Sequence, residues 1–229
     1  MELTFKCKLV VFGLTALFLM TAQAGPQSQC DAIAKGLKVE DELHLTSPVH
    51  LLKDPSPEVK GGGVQVVIEI PAGSLLKWEV DKKTGGLKWD EEKGKPRVIR
   101  YLPYPGNYGM IPQSLYAKSI GGDGDPLDVL VLGPSVPRGT LLKAKVIGVL
   151  KLLDRREKDD KLIAVSEDSA FAQIKEISEL KKKFPGILEI VETWFSHYKG
   201  KGLTVSKGYR GSKVATQILK RSIKAYTPK

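Results

Sequence analysis

Cysteine is almost missing from this 229-residue chain, with Cys7 and Cys30 the only two, and histidine is nearly as scarce at three residues. A disulfide-built scaffold is therefore excluded, and a zinc centre, which would recruit Cys or His, has little to draw on. Long apolar runs are also wanting. Leu9 to Met20 is the longest, about twelve residues where a bilayer span needs roughly twenty. No internal repeat or heptad run is present. Acid is nearly lacking in the last part of the chain: from Lys181 onward only Glu189 and Glu192 face twelve Lys or Arg, which accounts for the whole basic excess of a chain of net charge +10. Such a surface can steer anions, bind anionic membranes or envelope polymers, or simply keep the protein soluble.

The short apolar run has a function of its own. Lys6 and Lys8 precede it, and Ala22-Gln23-Ala24 follows it as a small-x-small cleavage site before Gly25, the pattern of a signal peptide. Residues 1–24 are accordingly expected to be removed and the protein exported, periplasmic or secreted, with no stable membrane insertion afterwards. Cleavage takes away Lys6, Lys8, Glu2 and Cys7, leaving Cys30 alone and no internal disulfide.

Carboxylates are concentrated in one place. Gly121-Gly122-Asp123-Gly124-Asp125-Pro126-Leu127-Asp128 puts three of them within six residues, directly before the apolar stretch Val129-Leu130-Val131-Leu132. At about 5 Å and an effective dielectric near 20, each ionised pair repels by roughly 3 kcal/mol, so the cluster calls for cations. All-oxygen donors suit Mg²⁺, Mn²⁺ or Ca²⁺. The calcium-loop pattern does not fit, because Pro134 stands where its bidentate Glu belongs and Asp128 where its Gly belongs. Gly, Asp and Pro also form ordinary solvated turns. Other acids lie in or beside apolar strands, however: Glu69 within Val66 to Ala72, and Asp154 closing Val146 to Leu153, with Asp159 and Lys161 just beyond. Burying such acids is costly unless they are paired or metal-bound.

These segments together resemble the soluble family I inorganic pyrophosphatases. The likeness rests on IEIPA at 68–72, KWEVD at 77–81, PGNYGMIPQS at 105–114 and DGDPLDVLVLG at 123–133. It continues through GVLKLLD at 148–154, DDKLIAV at 159–165 and HYK at 197–199. The resemblance implies hydrolysis of pyrophosphate to two orthophosphates by a water activated between Mg²⁺ ions, with Mn²⁺ or Zn²⁺ as possible substitutes. It assigns metal ligation to Asp123, Asp125, Asp128, Asp154 and Asp159, with Glu69 and Glu79 as further acids of the site. It assigns phosphate binding to Lys77, Arg97, Tyr108, Lys161, Tyr198 and Lys199, and makes Asp125 the acid that takes the proton of the attacking water. Lys77, Arg97 and Tyr108 stand with Asp125 in the catalytic group. Arg97 is preferred to Arg100, the other arginine of a segment whose length varies in the family. Tyr198 also fits as the last member of an apolar helix stripe.

The resemblance further implies a homo-oligomer, with a hexamer favoured over a dimer, and pyrophosphate rather than nucleic acid as the partner. A non-catalytic polyanion-binding module on an oligonucleotide-type barrel is the alternative function.

Patterning agrees with the fold the resemblance implies, an α+β and mainly β chain with a five-stranded OB-like antiparallel barrel flanked by two or three helices. Strand-like runs occur at 65–70, 78–80, 128–132, 141–153 and 162–165. A helix starting at Pro185 would present Ile187, Ile190, Val191, Trp194, Phe195 and Tyr198 on one face, and another near Ser212 would bury Ala215, Ile218, Leu219 and Ile223. Residues 25–62 read as an extended arm and 63–229 as a barrel domain with a basic C-terminal helix.

Overall fold

The computed structural model describes residues 31–227, so the signal-peptide reading and Cys30 lie outside the described residues. Eight strands carry the architecture: β1 (Val64–Ile70), β2 (Trp78–Val80), β3 (Leu87–Trp89), β4 (Asn107–Met110), β5 (Asp128–Leu132), β6 (Leu141–Asp154), β7 (Lys161–Ser166) and β8 (Thr204–Gly211). The helices are α1 (Ile177–Lys183), α2 (Ile187–His197) and α3 (Ser212–Ala225).

Five strands close on themselves in the order β1-β4-β5-β7-β6, with β6 returning to β1. Closure leaves no free edge in this ring. Four of its pairings are antiparallel, and the fifth, β5 with β7, is parallel, with Leu162 opposite Val129. The fourteen-residue β6 closes the ring through Leu141–Ala144 and then pairs with β8 through its second half. The register of β6 shifts between Val146 and Gly148. A Cβ at Gly148 would lie 2.1 Å from Cγ1 of Ile177, so only glycine admits α1 this close.

Two assignments from patterning change. Trp78–Val80 is not a barrel strand: it joins a separate four-stranded sheet with Leu87–Trp89 and the short strands His44–Thr46 and Lys38–Val39. The barrel instead uses Asn107–Met110, which has neither alternation nor β-branched residues. Its extended form comes from its neighbours β1 and β5, both strongly patterned, with which it pairs on either side. Gly109 is the enabling residue, because a Cβ there would sit 1.8 Å from the carbonyl oxygen of Val67.

Strand alternation divides the apolar residues between two clusters. Leu130, Leu132, Ile163 and Val165 pack with α1 and α2, while Val129, Val131, Leu162 and Ala164 pack with α3. Being buried on both faces explains why β5 and β7 read as unbroken apolar runs. On α2 the packed residues are Leu188, Val191, Trp194 and Phe195, whereas Ile190 is 62% exposed. At about 100° per residue Ile190 falls beyond the edge of the stripe, and Leu188 takes its place. On α3, Ala215 and Leu219 are buried as patterning requires, and Lys213, Lys220, Arg221 and Lys224 are exposed. Among the described residues no helix is long and apolar enough to cross a membrane.

Candidate active site

The ends of β5, β6 and β7 open at one mouth of the barrel, and register decides what meets there. Because Leu162 stands beside Val129 in the parallel pair, Lys161 and Asp128, one residue earlier on each strand, are brought side by side. The Lys161 ammonium donates to carboxylates of both Asp128 and Asp159. Asp159 lies two residues before Lys161 and hence on the same face. Asp160, on the opposite face, is buried and accepts from Tyr116, Lys151 and the backbone N–H of Leu152. One step along the chain thus separates an acid of the site from a structural one.

Asp154 ends β6, and its carboxylate accepts from Lys199 at 2.7 Å. Lys199 also lies 3.7 Å from Asp159. It reaches them from just past α2, which is anchored by its aromatics: Tyr198 stacks on Trp194 with ring centroids 4.4 Å apart, and the Trp194 indole N–H donates to the carbonyl of Leu102 at 2.8 Å. Tyr198 therefore both extends the helix stripe and borders the cavity.

The loop bearing Asp123 and Asp125 is pinned by Tyr116, whose N–H donates to the Asp125 carbonyl (2.7 Å) and whose carbonyl accepts from Gly124 N–H (2.9 Å). Gly122 is obligatory, since a Cβ would approach the Tyr116 carbonyl oxygen to 2.3 Å. Asp123 accepts the N–H of Asp125 at 2.9 Å. Asp125 itself projects into solvent, 57% exposed, and pairs with Lys82.

Lys77 and Glu79 flank Trp78 on β2 and so share a face. Glu69, near the end of β1, turns inward to accept the N–H of Val80 at 2.7 Å. Tyr108 comes from β4, with the Lys77 and Lys161 ammonium groups each 5.8 Å from its ring centroid. Arg97 is held by Asp90 at 3.0 Å.

All thirteen residues singled out in the sequence border one cavity of about 380 Å³: Glu69, Lys77, Glu79, Arg97, Tyr108, Asp123, Asp125, Asp128, Asp154, Asp159, Lys161, Tyr198 and Lys199. Arg97 lines it, whereas Arg100 is exposed outside it. Lys82, Arg155 and Glu157 also line it and were not read from the sequence. Lys82 had a usable signal, standing three residues past Glu79 beside the KWEVD segment. Arg155 and Glu157 belong to a turn whose direction only the β6 hairpin sets.

Electrostatics in the cavity are tense. Burial pushes Glu69 up to about 7, despite the opposing pull of Lys77. Asp123 is likewise pushed up to about 6 by burial, with repulsion from Asp128 adding to it and the Asp125 N–H resisting. Burial would lower Lys161, but the attraction of Asp128 and Asp159 outweighs it and holds the ammonium above its ordinary value. Burial, with Asp128 nearby, raises Tyr108 well above the usual phenol range, so it remains a hydroxyl donor.

Eight carboxylates line the cavity against six Lys or Arg, so a polyanion could enter only with added positive charge. The donors fit a hard divalent cation. Oxygens of Asp123, Asp128 and Asp159 lie within 4.8 Å of one another. Asp154 Oδ1 is buried with no hydrogen-bond partner, a cost that a cation would relieve. The donor set offers neither Cys nor His.

The family model described as inorganic pyrophosphatase matches residues 66–227. An inorganic pyrophosphatase of Corynebacterium efficiens is 39% identical over 167 residues, 71% of this chain and 98% of that protein. The soluble inorganic pyrophosphatase of Zea mays is 43% identical over 138 residues, 58% of either chain. Among solved structures, the inorganic pyrophosphatase from Thermus thermophilus superposes with a TM-score of 0.66 at 32% identity, covering 78% of this chain and 99% of that one. The type I inorganic pyrophosphatase from P. falciparum shares the fold, with a TM-score of 0.78 at 22% identity over 87% of this chain and 78% of that one.

Proposed function

The chain belongs to the inorganic pyrophosphatase family, hydrolases of a phosphoanhydride bond, and on that premise we propose that it splits pyrophosphate into two orthophosphates with Mg²⁺ held by its clustered aspartates. The observation that carries the reading is the convergence of Asp123, Asp128 and Asp159 within 4.8 Å, beside the unpaired oxygen of Asp154. Asp125 completes the ligand set, and Glu69 and Glu79 add negative charge behind it. Bound Mg²⁺ supplies the positive charge that this cavity lacks and makes water a stronger acid.

The chain's own groups then divide the work. Lys77, Arg97, Lys161 and Lys199 neutralise phosphoryl oxygens, and Tyr108 and Tyr198 donate hydroxyl hydrogen bonds to them. These groups are preorganised: Lys161 and Lys199 are already held by carboxylates, and Arg97 by Asp90. Asp125, the most open of the site's aspartates, with its carboxylate paired to an exposed lysine, accepts the proton of the attacking water. The leaving phosphate departs into the shell of cations, where its developing charge is offset.

Phosphate release from pyrophosphate, measured with and without Mg²⁺ and for Asp125→Asn, tests this reading. Metal-dependent release lost in the variant supports it. A chain that binds pyrophosphate but never turns it over sinks it.

On the signal-peptide pattern of residues 1–24 we also propose that the protein is exported, and mass spectrometry of the exported protein should then place its first residue at Gly25. The assembly is proposed to be a hexamer, with a dimer as the alternative, and light scattering on the processed chain decides between them.

A further inference from the structure

Arg138 is the largest of the fully buried side chains, at 2% exposure, and it does not border the catalytic cavity. Its guanidinium is engaged on three sides. One end donates to the Asp31 carboxylate, the other to the backbone carbonyl of Glu69, and the flat face lies 4.9 Å from the centroid of the Trp78 ring. Its own backbone is fastened to the N-terminal segment, with Arg138 N–H donating to the Ala32 carbonyl and Ala34 N–H to the Arg138 carbonyl, both at 2.8 Å.

A buried ion pair is weak evidence for stability, since an apolar side chain of similar volume often serves as well. What an arginine adds is direction: a planar fork with two bonded ends and a stacking face, which neither lysine nor a hydrocarbon reproduces. Here one end bonds backbone that carries the cavity, the flat face lies on a side chain of the strand beside it, and the other end reaches the turn before that strand through Asp31. The Glu69 carbonyl belongs to the residue whose side chain enters the site. Trp78 stands between Lys77 and Glu79, so holding its indole fixes the pitch of a strand whose other face presents those two groups. Trp78 in turn stacks on Trp89 at 5.5 Å, and the Trp89 indole N–H donates at 2.9 Å to the carbonyl of Arg97. Asp31 also accepts the Ser74 hydroxyl at 2.5 Å, and that oxygen accepts Leu76 N–H at 3.1 Å, setting the turn that leads into Lys77.

We propose that Asp31 and Arg138 are positioning residues for the side of the cavity formed by Glu69, Lys77, Glu79 and Arg97, and that residues 31–34 are therefore a working part of the enzyme. Asp31 lies upstream of the stretch that matches the family, which begins at residue 66. The inference rests on the pyrophosphate reading above.

Three variants of the full chain test it: Asp31→Ala, Arg138→Lys and the double variant Asp31→Ala/Arg138→Met. They are assayed at a temperature where circular dichroism shows each fully folded. Asp31→Ala leaves a buried cation unpaired and is expected to lose thermal stability, which the double variant regains by removing the charge. Arg138→Lys keeps the charge but not the fork. If the pair positions the site, all three show at least a tenfold rise in KM for pyrophosphate. Inorganic phosphate binding by calorimetry, which reports Lys77 and Arg97 without turnover, weakens in parallel. A double variant with unchanged KM and phosphate affinity overturns the proposal, reducing the pair to a structural prop. Should the unaltered chain release no phosphate from pyrophosphate, the earlier reading fails instead, and phosphate affinity alone still judges the positioning role.

Discussion

Replacing Glu69 with Gln should make the metal-free protein more stable at alkaline pH, against the usual expectation for altering a buried residue of an active site. Glu69 is 6% exposed, and burial pushes its carboxyl up to about 7 from 4.5. Between those values the folded protein keeps a proton that the unfolded chain has released, so stability is fully present below about pH 4.5 and is lost as pH rises through about 7. A carboxyl moved from 4.5 to about 7 corresponds to roughly 3 kcal/mol. Glutamine has nearly the same shape and still accepts the Val80 N–H, which Glu69 takes at 2.7 Å, so the fold loses no hydrogen bond. It never ionises. Urea unfolding in EDTA should therefore find Glu69→Gln equal to wild type near pH 4.5 and about 3 kcal/mol more stable at pH 8. In thermal melts that amounts to roughly 6–12 °C at about 2–4 °C per kcal/mol for a domain of this size. Mg²⁺ should narrow the gap, because a bound cation favours the ionised carboxylate. Equal pH dependence in the two proteins would refute the reasoning, since it would mean that Glu69 is solvated or paired well enough to ionise without penalty.

Other perturbations separate chemistry from structure. Asp125→Asn should cut kcat by about 10²–10⁴, while the melting temperature stays nearly unchanged because the carboxylate is 57% exposed; steady-state kinetics and a thermal scan check both. Lys161→Met removes the buried cation between Asp128 and Asp159 and should destabilise the metal-free protein by about 3–5 kcal/mol. Mg²⁺ should recover part of that loss, and thermal melts with and without the ion measure it. Gly109→Ala should prevent β4 from pairing with β1, because its Cβ would sit 1.8 Å from the Val67 carbonyl oxygen, and loss of the folded far-UV signal or of soluble protein would report it.

The acidic site was legible because charge clustering is local. Asp123, Asp125 and Asp128 fall within one short run, and their mutual repulsion demands a cation whatever the fold. The apolar runs of β5 and β7 were equally plain, since burial on both faces leaves little room for polar residues. Asn107–Met110 was not legible, because its strand form is imposed by the partners on either side rather than by its own side chains. Ile190 misled for a related reason: hydrophobicity alone does not say where a stripe ends, and only the packed surface of α2 does.

The amino-acid order by itself determined which chemistry was available: oxygen donors in surplus, cations spaced among them, and scarcely a soft ligand. Tertiary structure alone decided how they meet. The parallel register of β5 and β7 sets Lys161 between Asp128 and Asp159, and turns Asp160 away. Likewise nothing in the sequence tied Asp31 to Arg138, because the two are 107 positions apart and meet only where residues 32–34 dock against the backbone of Arg138, which no local pattern encodes.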